Sequence, residues 1–161
     1  MILGKKINKN YLLIAILLLA VVLRVYKLSS IPVSLFGDEL DVGYHAYSVL
    51  KTGRDYSGNF LPLHMQSLAE WRTPLYLYSV VPTVALFGIS PLGVRLPAAL
   101  FGVLGVWGIY LLIKEITKRE DLSLLTALIF AISPWHLQYS RGAFEVTMLL
   151  AFLIFGVYFF L

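Results

Sequence analysis

PLGVRLPAALFGVLGVWGIYLLI, residues 91–113, carries a single charged side chain, Arg95. A membrane span needs roughly 20 mainly apolar residues, so this stretch is long enough to cross a bilayer. The uncharged run 73–94 precedes it, and only Arg95 divides the two. Two threadings compete. In the first, 73–94 crosses and the chain turns back at Gly88-Ile89-Ser90-Pro91-Leu92-Gly93, which leaves Lys114, Lys118 and Arg119 outside. In the second, 74–89 lies on the outer surface and 93–113 crosses inward, placing those cations in the cytoplasm. The positive-inside bias favours the second. So do Pro82 midway along 74–89, the polar Ser79 and Thr83, and Tyr76 and Tyr78, which suit an interface.

The flanks extend this layout. Residues 11–23 are uncharged, and Arg24 and Lys27 can snorkel to an interface, giving a span near 11–28. Lys5, Lys6 and Lys9 precede it and predict a cytoplasmic N-terminus. No small-x-small cleavage site follows the apolar stretch, which favours an uncleaved anchor over a signal peptide. Further spans are expected at 122–140 and 144–161. The expected fold is therefore all-α: one polytopic membrane segment over 1–161, with about four transmembrane helices plus extracytoplasmic juxtamembrane helices in an outer loop over 29–92. The run 144–161 is still apolar at Leu161, so the sequence reads as the N-terminal part of a longer chain.

Composition agrees. Of the 161 residues 59% are apolar and 14% charged, against about 25% charged in soluble domains, and mean hydropathy is +0.81. That excludes an ordinary soluble enzyme and a disordered tail. With no cysteine there is no disulfide framework, thiol nucleophile or thiolate metal site. There is no Gly-rich phosphate loop, and no basic patch interleaved with stacking aromatics, so nucleic acid is not an expected partner. Gly102, Gly105 and Gly108 suggest close helix packing. His45, His64 and His136 form no metal-binding spacing and read as structural. Trp71, Tyr76, Tyr78, Trp135 and Tyr139 suit an aromatic belt.

The stretch with chemistry is Phe36-Gly37-Asp38-Glu39-Leu40-Asp41-Val42-Gly43-Tyr44-His45-Ala46-Tyr47. Leu40, Tyr44, Tyr47 and Leu50 follow helical spacing and Gly53 supplies a stop, which predicts a short amphipathic helix at the interface. Asp38 as N-cap, with Glu39 and Asp41 on the positive end of the helix dipole, is the structural account. It leaves unexplained why three acids gather where one cap suffices. A carboxylate beside the membrane can instead act as a general base or hold a divalent cation.

These residues resemble the polytopic GT-C glycosyltransferases, which include the protein O-mannosyltransferases, the lipid A aminoarabinose transferases and RgtA/B/C/D-like enzymes. The likeness lies in a first span followed by an outer-loop Asp-Glu pair and Tyr44-His45-Ala46. It continues through Thr73-Pro74-Leu75-Tyr76-Leu77-Tyr78, similar to a Lys-Pro-Pro-Leu-Tyr-Tyr segment. Phe87-Gly88 through Arg95-Leu96-Pro97-Ala98-Ala99 resembles a Phe-Gly…Arg-Leu-Pro-Ser-Ala block, and Ser133-Pro134, Arg141 and Glu145 complete it, over about 11–160.

The resemblance implies transfer of a sugar from a polyprenyl-phosphate donor, with inversion, to a protein, lipid or glycan acceptor on the extracytoplasmic face of a plasma (inner) membrane. It makes Asp38 the candidate base, Glu39 a supporting acid and Glu145 a second catalytic carboxylate. Arg72, Arg95 and Arg141 become candidates for substrate phosphate, since guanidinium meets phosphate bidentately. No cofactor is demanded; a divalent metal ion, with Glu39 and Glu70 as its ligands, is the one candidate. Asp41 lies outside the pair and reads as structural, and Glu145 reads alternatively as the partner of Arg141 four residues before it. The sequence departs from the family in three places. Arg72 stands directly before Thr73-Pro74 where relatives place a Lys, Glu70 lies four residues before Pro74 rather than two, and Arg141 and Glu145 replace an Arg five residues before an Asp. The alternatives are a transporter or flippase, which would place ionisable groups inside the spans, and a non-catalytic membrane subunit.

Overall fold

A computed structural model of the chain describes residues 8–67 and 70–161. Lys5 and Lys6, part of the N-terminal charge reading, lie outside the described residues. The elements run α1 (Lys9–Val25), α2 (Gly37–Thr52), a hairpin of β1 (Met65–Ser67) and β2 (Glu70–Arg72), α3 (Pro74–Phe87), α4 (Pro91–Thr117), α5 (Glu120–Ile132), α6 (Pro134–Ser140) and α7 (Val146–Phe160). The class is helical as expected. The antiparallel hairpin, with Met65 opposite Arg72, is an addition that three-residue strands do not announce in sequence.

Local chemistry sets the boundaries. Asn8 caps α1 by accepting the Asn10 N–H at 3.0 Å. Gly53 closes α2 at φ +68°, a conformation glycine adopts without steric cost. Pro74 and Pro91 open α3 and α4 at positions where a missing N–H costs nothing. Ser133-Pro134 interrupts the expected 122–140 span, and α5 and α6 meet at a bend of 58°. The cause is the missing proline N–H and the ring's clash with the preceding turn.

Helix α4 is the spine, touching α1, α3, α5, α6 and α7. One core joins α2, α3 and the first turns of α4 through Val42, Ala46, Val49, Leu77, Val80, Val84, Val94 and Ala98. A second joins α1, the later turns of α4 and α5 through Ile16, Ala20, Val106, Tyr110, Leu124 and Ala127. The three glycines of α4 do not form one stripe. Gly102 faces Arg24 and Ser140, Gly105 faces Phe130 and His136, and Gly108 faces Ile154 and Phe155, because a spacing of three residues drifts around the helix.

Among the described residues, by length and composition α4 is long and apolar enough to cross a membrane, and α5 with α6 qualifies as a bent pair. The described parts of α1 and α7 are shorter, at 17 and 15 residues. Helix α3, at 14 residues, is about 21 Å long against a hydrocarbon core of about 30 Å. The outward faces of α1, α4, α5 and α7 expose Leu18, Val22, Leu100, Trp107, Leu125, Ile129, Leu153 and Phe159 among others, an apolar surface far beyond what a soluble monomer carries.

The bundle has two chemically different ends. At one, Lys9 and Lys114 lie 3.5 and 3.3 Å from Glu120. At the other lie α2, the hairpin, and the turns holding Arg95 and Arg141. Arg24 departs from expectation. It does not snorkel outward but is fully buried, donating to the Ala20 and Ala131 carbonyls and to His136 Nδ1 at 2.8 Å. The broken α5 leaves the Ala131 carbonyl without its helical partner, and a buried polar group needs a substitute.

Candidate functional site

The Asp38-Glu39 pair divides at the start of α2. The N-cap is Phe36, so Asp38 is not the cap but sits in the first turn. Glu39, three residues after the cap, reaches back to accept the Phe36 N–H at 2.9 Å. Its two oxygens take Arg95 Nε and Nη2, both at 2.7 Å, and the Ala143 N–H at 3.0 Å. Arg95, also fully buried, gives its other donors to the carbonyls of Pro32 (2.9 Å) and Ser34 (2.7 Å). Burial alone would raise the Glu39 pKa, but the Arg95, Phe36 and Ala143 bonds outweigh it and hold the group below the ordinary carboxylate range. The Glu39 carboxylate thus ties α2, α4 and the loop before α7 together. Four hydrogen bonds occupy its oxygens and leave little capacity for a metal ion.

Asp38 remains at the surface, its side chain 41% exposed. Oδ1 accepts Arg72 Nη2 at 2.6 Å, and Oδ2 has no protein donor among the described residues. Arg72, at the end of β2, also meets Asp41 (Nε to Oδ2, 3.2 Å) and Glu70 (Nη2 to Oε1, 2.9 Å). Burial would lower the Arg72 pKa, yet these three acids raise it, so the guanidinium stays charged. Glu70 faces Arg72 and Glu39 faces Arg95. Among the described residues no group of three or more His, Asp or Glu side chains is arranged to hold a metal ion.

Arg141 ends α6 and donates to the carbonyls of Leu23, Arg24, Tyr26 and Ile31 at 2.7–3.2 Å. It makes no bond to Glu145. The two residues lie on either side of a helix break, at the C-cap of α6 and the N-cap of α7, so the four-residue pairing expected on one helix does not form. Glu145 instead borders an apolar cavity of about 170 Å³ with Thr73, Leu75, Tyr76, Met148, Leu149 and Phe152. It has no ion-pair partner among the described residues. Arg72 adjoins this cavity through Thr73.

Asp41, which the sequence places outside the pair as structural, also joins this cluster. It shares a helix face with Asp38, three residues on, and that spacing was readable. Its other partners come from the loop after α2. Tyr56 donates its hydroxyl to Asp41 Oδ1 at 2.8 Å, and buried His45 brings Nε2 to 3.9 Å from the same oxygen. The exposed stripe of α2 is Leu40, Tyr44, Tyr47 and Leu50, while Val42, His45, Ala46 and Val49 face inward. The periodic residues thus mark the outward side of the helix.

The fold is an apolar helical bundle with acids and arginines gathered at one end, and the family it matches makes it a GT-C-type membrane glycosyltransferase, a class that works on a lipid-linked sugar and an acceptor at a membrane. Residues 72–161, more than half of the chain, match the family described as dolichyl-phosphate-mannose-protein mannosyltransferase, and the chain belongs to that family. No curated protein and no solved structure matches it. The match takes in Arg72, Arg95, Arg141 and Glu145. Asp38, Glu39 and Asp41 lie upstream of it.

Proposed function

We propose that this chain transfers a sugar from a polyprenyl-phosphate donor to an acceptor on the extracytoplasmic side of the membrane, with Asp38 as general base. The observation that carries this reading is the state of Asp38. One oxygen is held by Arg72 at 2.6 Å, the other has no donor among the described residues, and the side chain is 41% exposed. Asp38 Oδ2 takes the proton of an acceptor hydroxyl or amine as that atom attacks the anomeric carbon. The bond from that carbon to the phosphate oxygen breaks, and polyprenyl phosphate leaves from the opposite face, inverting the centre. Arg72 Nη1, the guanidinium nitrogen not given to Asp38, Asp41 or Glu70, is placed to meet the leaving phosphate. Glu39 and Arg95 fix the helix that carries the base, and Glu145 supplies a second carboxylate beside the Thr73 cavity.

In this reading the end with Lys9, Lys114 and Glu120 faces the cytoplasm and the end with α2 and the hairpin faces outward. The spans are 11–28, 93–113, 122–140 with its break, and 144–161, and the membrane is a plasma (inner) membrane. The transporter alternative has one observation in its favour, the Arg24–His136 pair inside the bundle, but the carbonyls that Arg24 caps account for it.

The test is transfer by the full-length protein in native membranes, with Asp38→Asn against wild type. Loss of the base lowers turnover by roughly 10²- to 10⁴-fold. Undiminished transfer by a stably inserted variant refutes the assignment.

A further inference from the structure

Asp41 stands at the junction of two layers. On one side its Oδ2 lies 3.2 Å from Arg72 Nε, an ion pair whose angle falls outside hydrogen-bond geometry. On the other its Oδ1 accepts the hydroxyl of the exposed Tyr56 at 2.8 Å, and the Tyr56 ring stacks on the buried His45 at 3.9 Å between centroids. His45 is fully buried, and neither ring nitrogen closes a hydrogen bond with standard geometry. Among the described residues the imidazole has no well-formed hydrogen bond, and, 3.9 Å from a carboxylate oxygen, it is costly to bury. The hairpin that carries Arg72 has just three residues in each strand, too few to fix an arginine by themselves.

We propose that Asp41 is a positioning residue for the transfer: backed by Tyr56 and His45, it anchors the Nε edge of Arg72 so that Nη2 faces Asp38 and Nη1 is left for the donor phosphate. This rests on the reading of Asp38 as base and Arg72 as donor contact. With the Nε–Nη2 edge held by Asp41 and Asp38, the guanidinium plane is set before the donor arrives, which is where preorganisation lowers the cost of binding. Asp41 touches neither donor nor acceptor and acts through Arg72.

His45 gives the network a pH response. Burial holds its pKa below the ordinary 6.5, with Arg72 also disfavouring the cation; Asp41, Asp55 and the backbone at Gln66 pull the other way and are outweighed. The folded pKa is the lower one, so the stability from keeping His45 buried and neutral is complete above pH 6.5 and declines as pH falls through and below that value. The other groups facing this corner are Asp38, Tyr56 and Glu70. Tyr56 is held above its usual range by burial and by Asp41 and stays protonated throughout.

Residues 1–161 contain no cysteine; with any cysteine elsewhere in the full-length protein replaced by serine, a nitroxide on Trp71→Cys, exposed and next to Arg72 on β2, reports hairpin motion in vesicles. Asp41→Asn and Tyr56→Phe are expected to increase its mobility, with Asp41→Glu restoring part of the order. With native Trp71, Asp41→Asn is expected to raise KM for a polyprenyl-phosphate sugar about fivefold, as for the loss of one ion pair, with a smaller change in kcat. Tyr56→Phe should do the same about threefold and add little to Asp41→Asn, since the two act in series. Label mobility should rise as pH drops below 6.5 in wild type and stay flat in His45→Gln. A donor KM and label mobility both unchanged in Asp41→Asn overturn the proposal, and an identical pH profile in His45→Gln overturns the part given to His45. Asp38→Asn, assayed alongside, separates the two ideas: if it transfers normally the base assignment falls, while a raised donor KM in Asp41→Asn still supports the anchoring of Arg72.

Discussion

Replacing Arg95 by methionine removes the centre of the brace behind the candidate base. Both partners of the Arg95–Glu39 pair are almost wholly buried, at 0% and 4% side-chain exposure. In the variant Glu39 keeps only the Phe36 and Ala143 N–H groups, and the carbonyls of Pro32 and Ser34 lose their donor. Stranding one charge of a buried pair costs about 3–5 kcal/mol, a large share of the roughly 5–15 kcal/mol by which a domain is stable. Glu39→Met/Arg95→Met removes both charges and should be more stable than Arg95→Met alone, a coupling of about 2 kcal/mol or more. The assay is unfolding of the solubilised protein followed by helicity, at pH 7 and at descending pH. The Glu39 pKa is depressed in the fold, so the brace contributes fully above about pH 4.5 and fails only below it. It should therefore outlast the His45 response on acidification. A loss under about 1 kcal/mol in Arg95→Met, or a double variant as unstable as the sum of the singles, refutes this account.

Gly102→Ala would set a Cβ 2.6 Å from Ser140 Cβ and 2.8 Å from Arg24 Nε and should destabilise by about 1–3 kcal/mol. Gly105→Ala meets nothing nearer than 3.5 Å and should be neutral or slightly stabilising; thermal unfolding of the two distinguishes a packed Arg24 from a loose one. A reporter fused after Arg119 is expected to read cytoplasmic, and an extracytoplasmic reading would overturn the orientation proposed for α4.

The helices were legible because each rests on local signals: the Asn8 cap, Pro74 and Pro91 at helix starts, Gly53 at a helix end, and long uncharged runs between. The break inside 122–140 was legible in principle, since Ser133-Pro134 carries the reason on its face. Asp38 as N-cap and Arg141 with Glu145 were misread for one reason. Both depended on a helix boundary, shifted by two residues in the first case and interrupted in the second. The partners of Arg24, Arg95 and Asp41 were not legible, because each reaches across many residues of chain to a group whose need arises only in the folded state.

That last point bears on which arginine meets the donor. Within an apolar bundle every backbone polar group must find a partner inside the protein, and three of the four sequence-marked arginines at this end answer that need. Arg24 caps Ala20 and Ala131, Arg95 serves Pro32 and Ser34, and Arg141 serves four carbonyls around the exit of α1. Moving any of them onto a phosphate would strand buried or partly buried carbonyls, at roughly 1–3 kcal/mol each; for Arg141 these are Leu23 and Arg24, since its bonds to Tyr26 and Ile31 are exposed. Arg72 binds carboxylates alone, two of them part of the surface cluster around Asp38 and Glu70. A phosphate arriving there replaces one anion by another around the same guanidinium, and the backbone loses nothing. The division of labour among these arginines thus favours Arg72 over Arg95 and Arg141 for the donor.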